Sequence, residues 1–155
     1  MDEYQDSNYI QSKWLKLLAQ KRNNICCVGD DDQSIYSWRG AEIKNFLEFD
    51  KIYDNTKIVR LERNYRSTQN ILSVASKVIS NNEARVGKNL FTKGEEGDLV
   101  SLNSFRNGKD EAMGVSDEIE KLKKNYSLND ISILVRAIFQ TREFEERFLK
   151  IGIPY

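Results

Sequence analysis

An α/β fold with a mainly parallel sheet is the expectation from this sequence, and three observations carry it. Short apolar runs closed by turn residues alternate with longer stretches whose apolar side chains recur at helical spacing. This alternation continues along nearly the whole chain, as in crossover units built around a parallel sheet. Leu, Ile, Val and Phe make up 42 of the 155 residues, enough apolar surface to order a chain of about one domain's length.

Taken in order, Ser7 or Asn8 is placed to cap a helix whose apolar positions are Ile10, Trp14, Leu17 and Leu18, with Asn23-Asn24 ending it. Ile25 to Val28, closed by Gly29, reads as a covered strand, and Asp30 to Gly40 as a polar loop. A helix is expected from Glu42 to Phe49 and a strand from Lys57 to Leu61. Ser67 or Thr68 caps the next helix, whose face is Ile71, Val74, Ala75, Val78 and Ile79, and Asn81-Asn82 stops it. Gly87 to Gly97 reads as loop, Leu99 to Phe105 as strand, and Asp110 to Lys124 as an amphipathic helix. Ile131 to Val135 is a strand and Thr141 to Lys150 a helix.

Composition narrows the function classes. Lys plus Arg and Asp plus Glu each number 24, so the formal net charge is zero, and the parts before and after Arg66 are each balanced. Any nucleic-acid binding must then come from a local site rather than from an overall field. No apolar run is long enough to span a membrane, and the acidic start of the chain is unlike a secretory leader. Cys26 and Cys27 are adjacent and have no other cysteine to pair with. They read as small buried hydrophobes in a reducing, cytoplasmic setting. Without histidine or a CxxC pair, a zinc site is not expected.

Three clusters hold residue types suited to chemistry. In Asp2-Glu3-Tyr4-Gln5-Asp6, adjacent carboxylates can divide labour at a phosphate site, one holding Mg²⁺ and the other orienting a water; the plain alternative is a solvated helix start. The loop Gly29 to Ala41 places Gln33, Tyr36, Trp38 and Arg39 together after an apolar run. Aromatic rings among Ser, Arg and Gly have the composition of a base-stacking platform beside a phosphate-binding cation; partial burial is the alternative. Leu61 to Thr68 carries Tyr65 and Arg66. An arginine there can reach the charge on a transferring phosphate, or form a salt bridge with Glu62 or a loop aspartate.

In this order and spacing, DEYQD, GDDDQSIYSWRGA and LERNYRST resemble motifs II, III and IV of the superfamily-one DNA helicases of the UvrD/Rep/PcrA type. The segments Asn81 to Thr92 and Ile131 to Tyr155 resemble the same family's continuation. The resemblance implies parts of two RecA-like P-loop NTPase domains with mainly parallel sheets. Residues 1–66 would be the C-terminal part of the first and 67–155 the N-terminal part of the second. It implies ATP and Mg²⁺ as cofactors, with Asp2 and Glu3 at the metal and Glu3 activating the hydrolytic water. Gln33 would sense the γ-phosphate, Tyr65 would stack on adenine, and Arg66 would be the arginine finger. Tyr36 and Trp38 would stack on bases of single-stranded DNA, with Arg39 in a nearby polar contact. The implied activity is ATP-driven 3′-to-5′ translocation and unwinding, with single strands and duplex junctions as partners.

Departures from the family pattern are also legible. The phosphate-cradling GxxxxGK[ST] loop is not in this chain. Ser37 stands where glycine is common, and Arg63 where glutamine is common. The sequence therefore resembles an interior slice of a helicase, expected to be inactive alone and to self-associate through exposed sheet edges. The alternatives are a non-catalytic helicase-like binding module acting with another chain, and a remnant that folds without function.

Overall fold

The structure is a computed structural model that describes residues 1–22, 24–82 and 85–155. They divide into two compact units, Met1–Val100 and Ser101–Tyr155. Asn23, expected to help end the first helix, lies outside the described residues.

In the first unit, a 3₁₀ turn at Tyr4–Asp6 leads into α1 (Tyr9–Ala19). Of the two candidate caps it is Asn8 that acts: its side chain accepts from the Gln11 amide, and the Gln11 side chain accepts from the Asn8 amide, both at 2.9 Å. The helix expected over Glu42–Phe49 forms as two short pieces, α2 (Lys44–Leu47) and α3 (Phe49–Ile52). Glu48 leaves the helical region between them, at φ −107° and ψ 17°. Phe49 lies edge-on to Tyr4, ring centroids 5.6 Å apart, and 4.6 Å from Tyr53. Tyr4 and Tyr53 are the buried rings of this centre, which also holds polar contacts: Tyr4 OH and Ser12 Oγ are 3.0 Å apart, and Asn45 Nδ2 donates to the Ser7 carbonyl.

Helix α4 (Gln69–Ile79) follows Thr68, whose side chain makes no capping bond. The carbonyls of Glu95 and Glu96 accept instead from the amides of Gln69 and Asn70, satisfying donors that a cap would otherwise serve.

The second unit pairs α5 (Gly108–Leu122) with α6 (Thr141–Ile151). Asn107 caps α5 through the Asp110 amide. Ala112, Ile119, Phe144, Phe148 and Ile153 form the core, with Val115, Leu128, Ile131, Ile133 and Ile151 packed against it. The fully buried Ser116 receives Arg147 Nε at 3.0 Å.

The expected parallel sheets do not form. Among the described residues there is no strand, only two isolated bridges, Asn8 with Ala41 (antiparallel) and Arg63 with Phe91 (parallel). The four runs expected as strands, 25–28, 57–61, 99–105 and 131–135, belong to no regular element. The reason is that a strand is completed by its neighbour: an apolar run supplies the side chains, but the ladder needs a second backbone in register. Val28 finds only a fragment of one, donating to Met1 O and accepting from Tyr4 N, both at 2.9 Å. Apolar side chains along these runs therefore stay exposed, Leu102 and Leu134 almost fully.

Candidate functional site

The DEYQD segment and the polar loop meet through a buried amide. Gln5 is 1% exposed. Its Nε2 donates to Glu3 Oε2 at 2.7 Å, and its Oε1 accepts from the Asp30 amide at 3.0 Å. One side chain thus orients a carboxylate and anchors the start of the loop. The approach is close enough to require glycine beside it: a Cβ on Gly29 would lie 2.7 Å from Gln5 Oε1 and 2.8 Å from the Phe46 ring. Asp2 and Glu3 are both exposed. Glu3 has φ +49°, left-handed backbone that a non-glycine residue adopts at a cost of about 1–2 kcal/mol. The Asp2 carboxylate accepts from the Glu3 amide at 3.0 Å.

Gln33 ends a 3₁₀ turn (Asp31–Gln33) in which Asp30 accepts from the Asp32 amide. Gln33 Nε2 donates to Asp30 Oδ2 at 2.7 Å. Asp30 also pairs with Lys88. Arg85 holds Asp32 with two bonds, Nε to Oδ1 and Nη2 to Oδ2, each 2.7 Å. Burial pushes the Asp30 carboxyl up, but hydrogen bonds from Lys88 and Gln33 outweigh it and leave it below the usual carboxylate range. The bond to Asp32 pushes the Arg85 guanidinium up. The carboxylates of Asp30, Asp31 and Asp32 lie close together; Arg85 and Lys88 offset two of their charges, and Asp31 receives the Val86 amide.

Tyr36, Trp38 and Arg39 form a cluster at the loop's far end. The rings are 6.4 Å apart at 49°, and the Arg39 guanidinium lies 5.2 Å from the Tyr36 centroid and 4.7 Å from that of Trp38, within cation–π range. Tyr36 is half-buried, whereas Trp38 is 73% exposed. Gly40, at φ +86°, turns the chain out of this element.

Tyr65 is 79% exposed, with the Arg63 guanidinium 4.6 Å from its centroid. Asn64 Oδ1 accepts from the amides of Arg66 and Ser67 at 2.9 and 2.8 Å, shaping the turn that presents Arg66. Among the described residues Arg66 makes no ion pair, with Glu62 or with a loop aspartate. A small cavity of about 230 Å³ is lined by Asp30, Asp32, Gln33, Arg85, Lys88 and the α4 face at Leu72 and Ile79. A larger one, about 610 Å³, lies in the second unit against Ile119, Phe144 and Phe148 and holds none of the candidate residues.

Sequence reasoning assigned no role to Gln5, Arg85 or Lys88. Gln5 stood inside a motif but carried no charge to draw attention. Arg85 and Lys88 lie more than fifty residues from the carboxylates they hold, with only their cationic pairing to three aspartates as a signal.

Comparison with known proteins places these segments. Residues 1–54 match the UvrD/REP helicase N-terminal domain, and residues 59–155 the UvrD-like helicase C-terminal domain. The whole chain aligns at 51% identity with a probable DNA helicase II homolog of Rickettsia conorii, covering 24% of that protein. It aligns at 47% with DNA helicase II of Haemophilus influenzae and at 46% with the ATP-dependent DNA helicase PcrA of Bacillus subtilis, covering 21% of each. The chain thus spans under a quarter of the length of these relatives.

Proposed function

Because the chain belongs to the UvrD/Rep family of helicases, we propose that it carries the nucleotide-sensing and base-stacking parts of an ATP-dependent 3′-to-5′ DNA helicase. Residues 1–66 then belong to the first nucleotide-binding domain and 67–155 to the second. The observation that carries the reading is the continuity of one short loop. Gln33 stands at one end, tied to Glu3 through Asp30 and Gln5, and the Tyr36–Trp38–Arg39 cluster stands at the other.

In this reading Gln33 donates to the γ-phosphate, and a shift of its turn moves the stacking rings on the same loop. Trp38 offers an open face to a base of single-stranded DNA, with Tyr36 beside it. Arg39 covers the rings and supplies a positive charge for a phosphate. Tyr65 stacks on adenine, and Arg66 meets the charge that develops on the transferring phosphoryl group. Exposed carboxylate oxygens suit Mg²⁺; Asp2 and Glu3 would hold it, and it would neutralise phosphate charge. Glu3, oriented by Gln5, accepts a proton from the attacking water. The 155-residue chain alone hydrolyses no ATP, since it lacks the GxxxxGK[ST] loop whose amides and lysine cradle the phosphates.

The test is made on the full-length gene product, by ATP hydrolysis with and without single-stranded DNA and by anisotropy of a labelled oligonucleotide. Trp38→Ala should weaken single-strand binding by about 1–3 kcal/mol. Gln33→Ala should lower DNA-stimulated kcat by roughly 100-fold with single-strand binding retained. A gene product whose ATP hydrolysis ignores both Mg²⁺ and DNA would refute the reading.

A further inference from the structure

The first unit contains a set of contacts that the reading above does not use. All three carboxylates of the Gln33 turn are engaged by one short segment, residues 85–88. Arg85 grips both oxygens of Asp32, the Val86 amide donates to Asp31 Oδ2 at 2.8 Å, and Lys88 pairs with Asp30. The side chains of Asp30, Asp32, Arg85 and Lys88 are each about four-fifths buried, so these pairs are less screened than surface ones. The segment then runs on to the Arg66 turn. The Asn89 amide donates to Glu62 Oε1 at 3.1 Å and the Phe91 amide to Glu62 O at 3.0 Å, while Phe91 O accepts from the Asn64 amide at 2.8 Å. Asn64 in turn holds the amide of Arg66.

We propose that Arg85 and Lys88 are positioning residues that set the Gln33 amide through Asp32 and Asp30, and that their segment couples the Gln33 turn to the Arg66 turn. The proposal rests on the roles given to Gln33 and Arg66 above. Its physical basis is the double use of the Asp30 carboxylate. One oxygen receives Gln33 Nε2; the other receives the Asp32 amide and faces the Lys88 ammonium. Without Lys88 the largely buried carboxylate loses its only ion-pair partner among the described residues, so it turns toward water and releases the amide. The two-bond grip of Arg85 fixes the plane of Asp32, which a single point charge would not do. Neither residue needs to touch nucleotide or DNA.

The test uses the full-length gene product with Lys88→Met, Arg85→Gln, and Lys88→Met on a Gln33→Ala background. Each single variant should lower DNA-stimulated kcat roughly 10-fold, with KM for ATP within about 2-fold. On the Gln33→Ala background, Lys88→Met should have no further effect, because its action passes through that amide. The charge-swapped pair Arg85→Asp with Asp32→Arg should recover most of the loss from Arg85→Asp alone, which separates pairing from a failure to fold. In ¹⁵N-glutamine-labelled protein, the side-chain amide signal assigned by Gln33→Ala should move in Lys88→Met. Equal kcat losses from Lys88→Met with and without the Gln33 side chain would overturn the proposal, as would an amide signal that stays in place. Should the unsubstituted protein hydrolyse no ATP while the amide signal still moves, the helicase reading falls and the positioning role stands.

Discussion

At the scale of single residues, the site is held by polar groups placed with little room to spare. Gly29 is the tightest case. Gly29→Ala would push its methyl group into Gln5 Oε1 and the Phe46 ring, and overpacking of this kind typically costs about 1–3 kcal/mol. A denaturation midpoint equal to that of the unsubstituted chain would contradict the contact. Tyr53 makes a second prediction. Its hydroxyl is buried and finds no hydrogen-bond partner among the described residues, and burial pushes the phenol up to about 12. Its unfolded value is about 10, so the folded state resists ionisation. Stability from this group is complete below pH about 10 and is lost as pH rises toward 12. Tyr53→Phe should leave stability near neutrality unchanged or raised and flatten the alkaline decline, as read by urea denaturation at several pH values. At this scale the residue types of the site could be read in advance. The polar neighbours of Tyr36 and Trp38 mark them in the sequence, and Trp38 is open to solvent. Gln5 carries no such signal in the sequence, since its role appears only when its two partners, one of them 25 residues away, are in place.

At the scale of elements, helices formed where local signals were complete. The reciprocal Asn8–Gln11 bonds start α1, and Asn8→Ala should cost about 1 kcal/mol, measurable as a lowered thermal midpoint; no change would mean that the helix is started by other contacts. In α4 the cap expected from Ser67 or Thr68 is not made, because carbonyls from Glu95 and Glu96 reach its first amides. That replacement comes from more than twenty residues downstream and leaves no local trace. The strands failed for the same reason in stronger form. Helical hydrogen bonds close within four residues, so a short stretch of sequence holds its own partners. A ladder draws its partner from elsewhere, and the runs at 57–61 and 131–135 have none among the described residues.

At the scale of the molecule, two divisions of the chain differ. The family domains meet between residues 54 and 59, whereas the compact units divide after Val100. Residues 59–100 match the C-terminal family domain yet join the first unit, tied to the loop at 30–33 by Arg85, Val86 and Lys88. Both units leave apolar surface uncovered, at Ile58, Val59 and Leu61 in the first and at Leu102, Leu134 and Ile138 in the second. Surfaces of this kind associate, so the 155-residue chain should form concentration-dependent oligomers in light scattering. A single monomeric species across a hundredfold range of concentration would count against this. Among the described residues no helix is long and apolar enough to cross a membrane.

The order of the motifs, the residue types at the candidate site and the positions of the main helices are written in short stretches of sequence, because capping, turn chemistry and helical periodicity act over a few residues. Pairings across 25 to 55 residues are of another kind: Gln5 with Asp30, Arg85 with Asp32, Val86 with Asp31. They exist only once the chain has closed on itself, and its closure brought these groups together while leaving the apolar runs without the neighbours a sheet requires.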